Sequence, residues 1–93
     1  DNMKIQVATM RYTHDGQTNI HLATTMKKAK EILVEDMRDY LKWTDFEEEH
    51  GEIPNDYHTL QEIGYEKEYY EVDINDHKVH TDEHILKYVM ETI

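Results

Sequence analysis

Apolar and polar residues alternate along two stretches near the start of the chain, residues 3–12 and 18–23. A two-residue period is typical of β-strands, because successive side chains of a strand point to opposite faces. An Asp-Gly pair between the two stretches is a hairpin signal. The sequence therefore predicts a β-hairpin, and in its second strand we expect Ile20 and Leu22 to face inward.

Alternation returns in residues 67–74, which predict a third strand. The Asn-Asp pair that follows predicts a turn, and residues 77–80 predict a short fourth strand that pairs back. On the third strand we expect one set of side chains to face the core and the other to face solvent. The core set is Tyr70, Val72 and Ile74, and the solvent set is Tyr69, Glu71 and Asp73.

Apolar residues recur at helical spacing between the strands and again after them. This spacing predicts a long helix at residues 25–42, two short helices within residues 45–63, and a last helix capped by Thr81. Asp36 falls at the edge of the apolar stripe of the long helix. It is either a boundary residue that turns outward or a half-buried acid paired with a base, for which Arg11 is a candidate.

These elements follow one another in the order β-β-α-α-α-β-β-α. The sequence therefore predicts an α+β fold, with a four-stranded, mainly antiparallel sheet and helices packed on one face. A length of 93 residues fits one domain. We interpret residues 1–2, which precede Met3, as an expression scar, and residues 3–93 as a single small acidic α+β domain. Because Met3 would then open a strand and not a signal peptide, we expect an intracellular, cytoplasmic location, with the host cell of a phage as one candidate.

Composition excludes several kinds of chemistry. The chain has no Cys and no Ser, which rules out thiolate and serine nucleophiles, and its three Gly are isolated, which rules out a phosphate-cradling loop. No apolar run approaches the roughly 20 residues of a membrane span. Paired carboxylates are abundant, but a chain of this size has little room for a lined cleft. We therefore expect no enzymatic activity, no catalytic residues and no cofactor.

The charge of the chain is unevenly placed. Residues 1–30 carry five basic and two acidic residues, a net +3, whereas residues 31–93 carry five basic and nineteen acidic residues, a net −14. Direct binding to nucleic acid or to an anionic membrane is disfavoured, because both require positive charge on the protein. A basic protein surface is the expected partner, although a face of this kind can also serve solubility alone.

The acids are spaced like the charges of a nucleic acid. Same-face residues of a strand lie roughly 6.6–6.8 Å apart, and residues four apart on a helix lie about 6 Å apart. Each strand of duplex DNA carries one phosphate per roughly 3.4 Å, so such carboxylates could occupy the positions of alternate phosphates. We expect partner binding through a set of acids and Tyr69, with exposed Tyr65 and Trp43 as further aromatic anchors. The set is Asp45, Glu47, Glu48, Glu49, Glu52, Asp56, Tyr69, Glu71 and Asp73.

The combination of small size and acidity resembles the phage-encoded inhibitors that mimic nucleic acid, including anti-restriction and anti-CRISPR proteins. This resemblance implies a non-enzymatic inhibitor that occludes the nucleic-acid-binding groove of a host or defence protein. It rests on composition and assigns no residue.

Two further functions remain open. One is an antitoxin-like neutraliser or a homodimeric accessory protein, whose contacts would run along an exposed edge strand. The other is a metal-binding protein that uses His77, His80 and His84, because zinc takes three or four such ligands. Ordinary surface or capping histidines are the favoured explanation of that spacing, and we therefore assign no metal ligand.

Overall fold

The computed structural model describes residues 2–80 of the chain, and the side chains of residues 4–78. This part has an α+β fold with one antiparallel sheet and three helices. None of its helices combines the length and the apolar character that crossing a membrane requires. The elements are β1 (Asn2–Tyr12), β2 (Thr18–Ala23), α1 (Met26–Lys42), α2 (Phe46–His50), α3 (Tyr57–Glu66) and β3 (Tyr70–His80).

The sheet has β1 at its centre, in the order β2-β1-β3, and both pairings are antiparallel. The prediction of two strands within residues 67–80 is wrong, because β3 is one strand that runs through the Asn-Asp pair without turning. The reason is that β1 pairs with β3 without interruption. The pairing begins with Tyr12 opposite Tyr70 and ends with Asn2 opposite His80. The hydrogen bonds of that ladder outweigh the local preference for a turn. Residues 2–80 therefore contain three strands, and the helix predicted from Thr81 lies outside the described residues.

Helix α1 confirms the periodicity of the sequence. The Thr25 hydroxyl caps it by accepting a hydrogen bond from the Lys28 backbone N–H at 3.1 Å. Four buried residues recur at every fourth position, which aligns them on the face that contacts the sheet. They are Ala29, Leu33, Met37 and Leu41.

The helices cover one face of the sheet, and β2 turns a different set of side chains toward them than the sequence predicts. Directly opposite residues share a face, so the buried Ala8 of β1 places His21 on the helical side. Ile20, which is 65% exposed, and Leu22 therefore lie on the other face. His21 takes the inward position because α1 supplies it with a carboxylate from Asp36.

Helix α3 runs two residues beyond Gly64, where the sequence predicts its end. Gly64 is needed for packing, because a Cβ at this position would lie 2.2 Å from the ring of Tyr70. Near the starts of the two helices, the Lys30 ammonium of α1 lies 5.5 Å from the ring centroid of Tyr57. Near their ends, both helices contact Tyr70, α1 through Tyr40 and α3 through Gly64. The two helices therefore run in the same direction and finish at the same end of the molecule.

Candidate functional site

Aromatic side chains gather at the end of the molecule where the β1–β2 turn meets the ends of α1 and α3 and the start of β3. This cluster, which we call the tyrosine pole, holds five of the seven tyrosines and the only tryptophan of the chain. Tyrosine and tryptophan are enriched in protein interfaces and dominate their binding energy, so their concentration here indicates a binding surface. Its members are Tyr12, Tyr40, Trp43, Tyr65, Tyr69 and Tyr70.

Tyr40 of α1 is the centre of the pole. Its ring stacks on Tyr12 at 5.5 Å between centroids with an interplanar angle of 29°. It also meets Tyr69 at 5.4 Å and the edge of Tyr70 at 5.5 Å. The backbone closes the same region, since the N–H of Thr13 donates to the carbonyl of Tyr69 at 3.1 Å. These contacts join one helix and two strands into a packed base.

Two aromatic side chains of the pole are left largely in solvent. Trp43 is 89% exposed and Tyr65 is 78% exposed. An aromatic side chain removes roughly 150–250 Å² from water when it is buried, so each is a strong potential contact for a partner. The pole thus combines a packed base with two exposed anchors.

Two tyrosine hydroxyls of the base, those of Tyr40 and Tyr70, stay neutral. Burial raises the pKa of Tyr70 and that of Tyr40 above the ordinary value of tyrosine. The Tyr70 hydroxyl donates to the carbonyl of Leu60 at 2.6 Å. Because these phenols stay uncharged at neutral pH, the charge of the pole comes from carboxylates.

A pocket of about 380 Å³ opens between the β1–β2 turn and the end of α1, and we call it the α1 pocket. Three aromatic rings and three aspartates line it, and none of the described residues that line it is Lys or Arg. It therefore combines aromatic surface with negative charge. The lining residues are Tyr12, His14, Asp15, Gln17, Asp36, Asp39, Tyr40 and Trp43.

A second pocket of about 400 Å³, the α3 pocket, lies between the end of α3 and the start of β3. It is lined by Thr13, Gly64, Tyr65, Glu66, Glu68, Tyr70 and Glu71. Glu68 ends the helix with a φ of 57°, in the left-handed region that glycine favours and most side chains avoid. This pocket also combines aromatic rings with three carboxylates.

The ends of the helices add to the negative potential of the pole. The carbonyl groups at the end of a helix carry a partial negative charge, and both α1 and α3 end here. Within the described residues, two salt bridges oppose this charge, from Lys42 to Asp39 at 3.8 Å and from Arg11 to Glu71 at 3.8 Å. All four side chains are more than half exposed, so solvent weakens both pairs.

Asp36 is a half-buried acid paired with a base, and the base is His21. The Nε2 of His21 lies 2.7 Å from the Oδ2 of Asp36, with the two side chains 35% and 22% exposed. The prediction of Arg11 as the partner is wrong, because Arg11 lies on the opposite face of the sheet, beside Glu71. The pair joins β2 to α1, and its Asp36 also lines the α1 pocket.

The structure divides the predicted set of binding residues between two faces. One group follows Trp43 and is exposed on the helical side of the molecule, where α2 packs against α1. Glu71 and Asp73 are also exposed, but they lie on the sheet face that the described helices leave open, opposite Arg11 and Thr9. The first group is Asp45, Glu47, Glu48, Glu49, Glu52 and Asp56.

Tyr69 was predicted as an exposed anchor, and this is wrong, because its ring is half-buried against Tyr40. Local sequence patterns also do not reveal the tyrosines and acids that lie far apart along the chain and meet only in the fold. One signal was present, since Tyr65 and the Tyr69-Tyr70 pair lie close together and are flanked by glutamates. The missed residues of the pole are Tyr12, Asp15, Asp39, Tyr40, Glu66 and Glu68.

The three-histidine metal site remains a hypothesis. His77 lies on β3 and is exposed, whereas His84 and the side chain of His80 lie outside the described part of the structure. Within that part, no group of three His, Asp or Glu side chains is close enough to hold a metal ion.

Comparisons with protein-family models, with curated proteins and with solved structures found no match. The function is therefore argued from the site alone. Within the described residues the site has no group of side chains that could hold a metal ion, and its most prominent groups are exposed aromatic rings and carboxylates. These groups can bind a cationic surface.

Proposed function

We propose that the chain is a non-enzymatic acidic binding protein whose tyrosine pole engages a basic surface of a partner protein. The observation that carries this proposal is the union, at one end of the molecule, of aromatic anchors with two pockets that carboxylates line. Aromatic rings supply buried area in an interface, and complementary charge supplies specificity and rapid association.

The acids beyond the pole support the same partner chemistry. From Trp43 to Glu66 the chain carries eight acidic residues and no Lys or Arg. Six of these acids precede α3 and are exposed on the helical side. Carboxylates that the fold keeps in fixed positions attract a cationic partner over a distance that the salt concentration determines.

In its finer form the proposal is mimicry of nucleic acid. The partner would be a host or defence protein whose nucleic-acid-binding groove the acidic side of the molecule occludes, in the manner of anti-restriction and anti-CRISPR inhibitors. Such a groove already carries Lys and Arg in an array that fits spaced anions. The protein would then act inside the cell that contains this partner.

The test is capture of partners on the immobilised protein at low salt, followed by elution with duplex DNA. Under the proposal, nucleic-acid-binding proteins are retained, are displaced by DNA, and lose affinity steeply as salt rises. Reversing Glu47, Glu48 and Glu49 to Lys should weaken retention while the circular dichroism spectrum stays unchanged. An affinity that is flat between low and high salt would refute mimicry.

One observation favours a second function, that of a homodimeric accessory protein. Ile20 is 65% exposed on the open face of the sheet, and no described strand pairs with the outer edge of β2. An exposed edge that carries an apolar residue is a template for pairing with a second chain. Sedimentation separates the two functions, because this one requires a dimer that persists at high salt and that Ile20→Lys dissociates.

A further inference from the structure

We propose that the α1 pocket binds one arginine side chain of the partner. The inference rests on the proposed function, because it names the group of the basic surface that the pole receives. It goes further by committing to a single pocket, a single side-chain type and a set of named contacts.

The shape and walls of the pocket favour a planar cation. Tyr12 and Tyr40 stack at 5.5 Å and form one wall, and the ring of Trp43 stands at the rim with 89% of its surface in solvent. A guanidinium group stacks on aromatic faces and is attracted to their negative π-surfaces. An exposed tryptophan beside such a wall can close over the bound group.

The carboxylates of the pocket supply hydrogen-bond acceptors for the same group. Asp39 and Asp36 lie one helical turn apart on α1, and both line the pocket. The hydrogen bond between His21 and Asp36 uses Oδ2, which leaves Oδ1 for a further donor. The five N–H donors of a guanidinium can reach two acceptors at once, whereas an ammonium acts as a point charge. This difference selects arginine over lysine.

Two nearby side chains, those of His14 and Lys42, already approach these acids, and neither fills the pocket. His14 lies 3.4 Å from Asp15 on the β1–β2 turn. Lys42 lies 3.8 Å from Asp39, and both of their side chains are more than half exposed. An exposed pair of this kind is weak, so a guanidinium that also stacks on aromatic rings would displace Lys42.

The test is calorimetric titration of the protein with a hexa-arginine peptide at low salt, with hexa-citrulline as the uncharged isostere. We expect saturable binding of the arginine peptide, weaker binding of hexa-lysine, and no binding of the citrulline peptide. Because Trp43 is the only tryptophan, its fluorescence should change in step with the heat. If the arginine peptide does not bind, or binds no better than hexa-lysine, the proposal is overturned.

Matched variants on α1 separate the pocket from general attraction to a negative protein. Asp39→Asn should weaken binding about tenfold, because a charge-assisted contact is lost, whereas Glu31→Gln removes the same charge outside the pocket and should weaken it by less than about twofold. Conversely, Lys42→Ala should tighten binding more than Lys27→Ala, which deletes the same charge near the start of the helix. Equal effects within either pair would overturn the α1 pocket as the site. They would leave the proposed function standing, since that function is judged by DNA-displaceable partner capture.

Discussion

Replacing Gly64 with alanine tests how α3 is fixed to the sheet behind the pole. In an ordinary helix this change stabilises the fold by about 1 kcal/mol, because alanine has the higher helix propensity. At this position the new Cβ would lie 2.2 Å and 2.3 Å from two ring carbons of Tyr70. That ring is 1% exposed, and its hydroxyl is held by the Leu60 carbonyl at 2.6 Å, so it cannot swing aside.

The two effects oppose each other, and their sizes decide the sign. Overpacking a core typically costs about 1–3 kcal/mol and occasionally more. The new Cβ would lie more than 1 Å closer to the ring than the sum of the van der Waals radii, and the hydroxyl at the far end of the ring is fixed by a hydrogen bond. We therefore expect the overpacking cost to be at or above the top of this range. After the gain in helix propensity is subtracted, we expect Gly64→Ala to lower the free energy of unfolding by about 2 kcal/mol.

Urea denaturation followed by circular dichroism at 222 nm measures this change. Glu62→Ala, on the exposed side of the same helix, is the control for propensity and should be nearly neutral. Tyr70→Leu should remove the obstacle, so that Gly64→Ala introduced into that background becomes neutral or stabilising. A Gly64→Ala protein at least as stable as the parent, or equal costs in the two backgrounds, would refute the packing of Gly64 against Tyr70.

Three further predictions concern the ends of α3 and the titration of its contacts. Glu68→Gly should raise the free energy of unfolding by up to about 1 kcal/mol in urea denaturation, because glycine removes the strain of a positive φ at a small cost in chain entropy. Burial raises the pKa of Tyr70, so its neutral form stabilises the fold below the ordinary tyrosine pKa of 10.0, and that stability is lost as the pH rises further. Tyr70→Phe should therefore make the decline in thermal midpoint above about pH 10 shallower. A backbone hydrogen bond from Thr59 lowers the pKa of Asp56. The ionised Asp56 therefore stabilises the fold above the ordinary aspartate pKa, and this stability is lost as the pH falls below that value. Asp56→Asn keeps a capping acceptor, so it should make the loss of thermal midpoint at acid pH shallower.

The helices could be predicted from the sequence because local signals determine them. Thr25 caps α1 and Asp56 caps α3, and each cap stands immediately before an apolar repeat. The end of α3 was misplaced for a reason that is not local. Gly64 resembles a stop signal, but its missing side chain makes room for a ring that arrives six residues later.

The sheet was harder to predict, because strand pairing depends on partners that are distant in sequence. The Asn-Asp pair after Ile74 is a turn signal, yet β1 extends far enough to pair with every residue of β3. The faces of β2 were reversed for a similar reason. Ile20 and Leu22 are the apolar members of their strand, but the register places His21 against Asp36 of α1. An alternating pattern predicts a strand, but the elements that pack against the strand determine which of its two sets of side chains is buried.

Predicting the candidate site requires both the local sequence pattern and the contacts between residues that are distant in sequence. The net charge and the long acidic segment after Trp43 are properties of the sequence, and they indicated a basic partner. The tyrosine pole depends on contacts between residues 12, 40 and 69–70, which no local pattern reveals. The predicted set was therefore centred on acids near one another in sequence, and the aromatic base was overlooked.

The placement of acids at the end of α3 supports the proposal of a cationic partner at the pole. Carboxylates near the end of a helix are repelled by its dipole, and Glu66 lies in the last turn of α3, where Lys67 as the C-cap offsets its charge only in part. Glu68 adds a left-handed backbone that glycine would adopt with less strain. A chain selected for stability alone would place Lys and Gly at these positions. Local costs of this kind are typical of functional surfaces, and under the proposed function a cationic partner at the pole would make favourable contacts with both carboxylates.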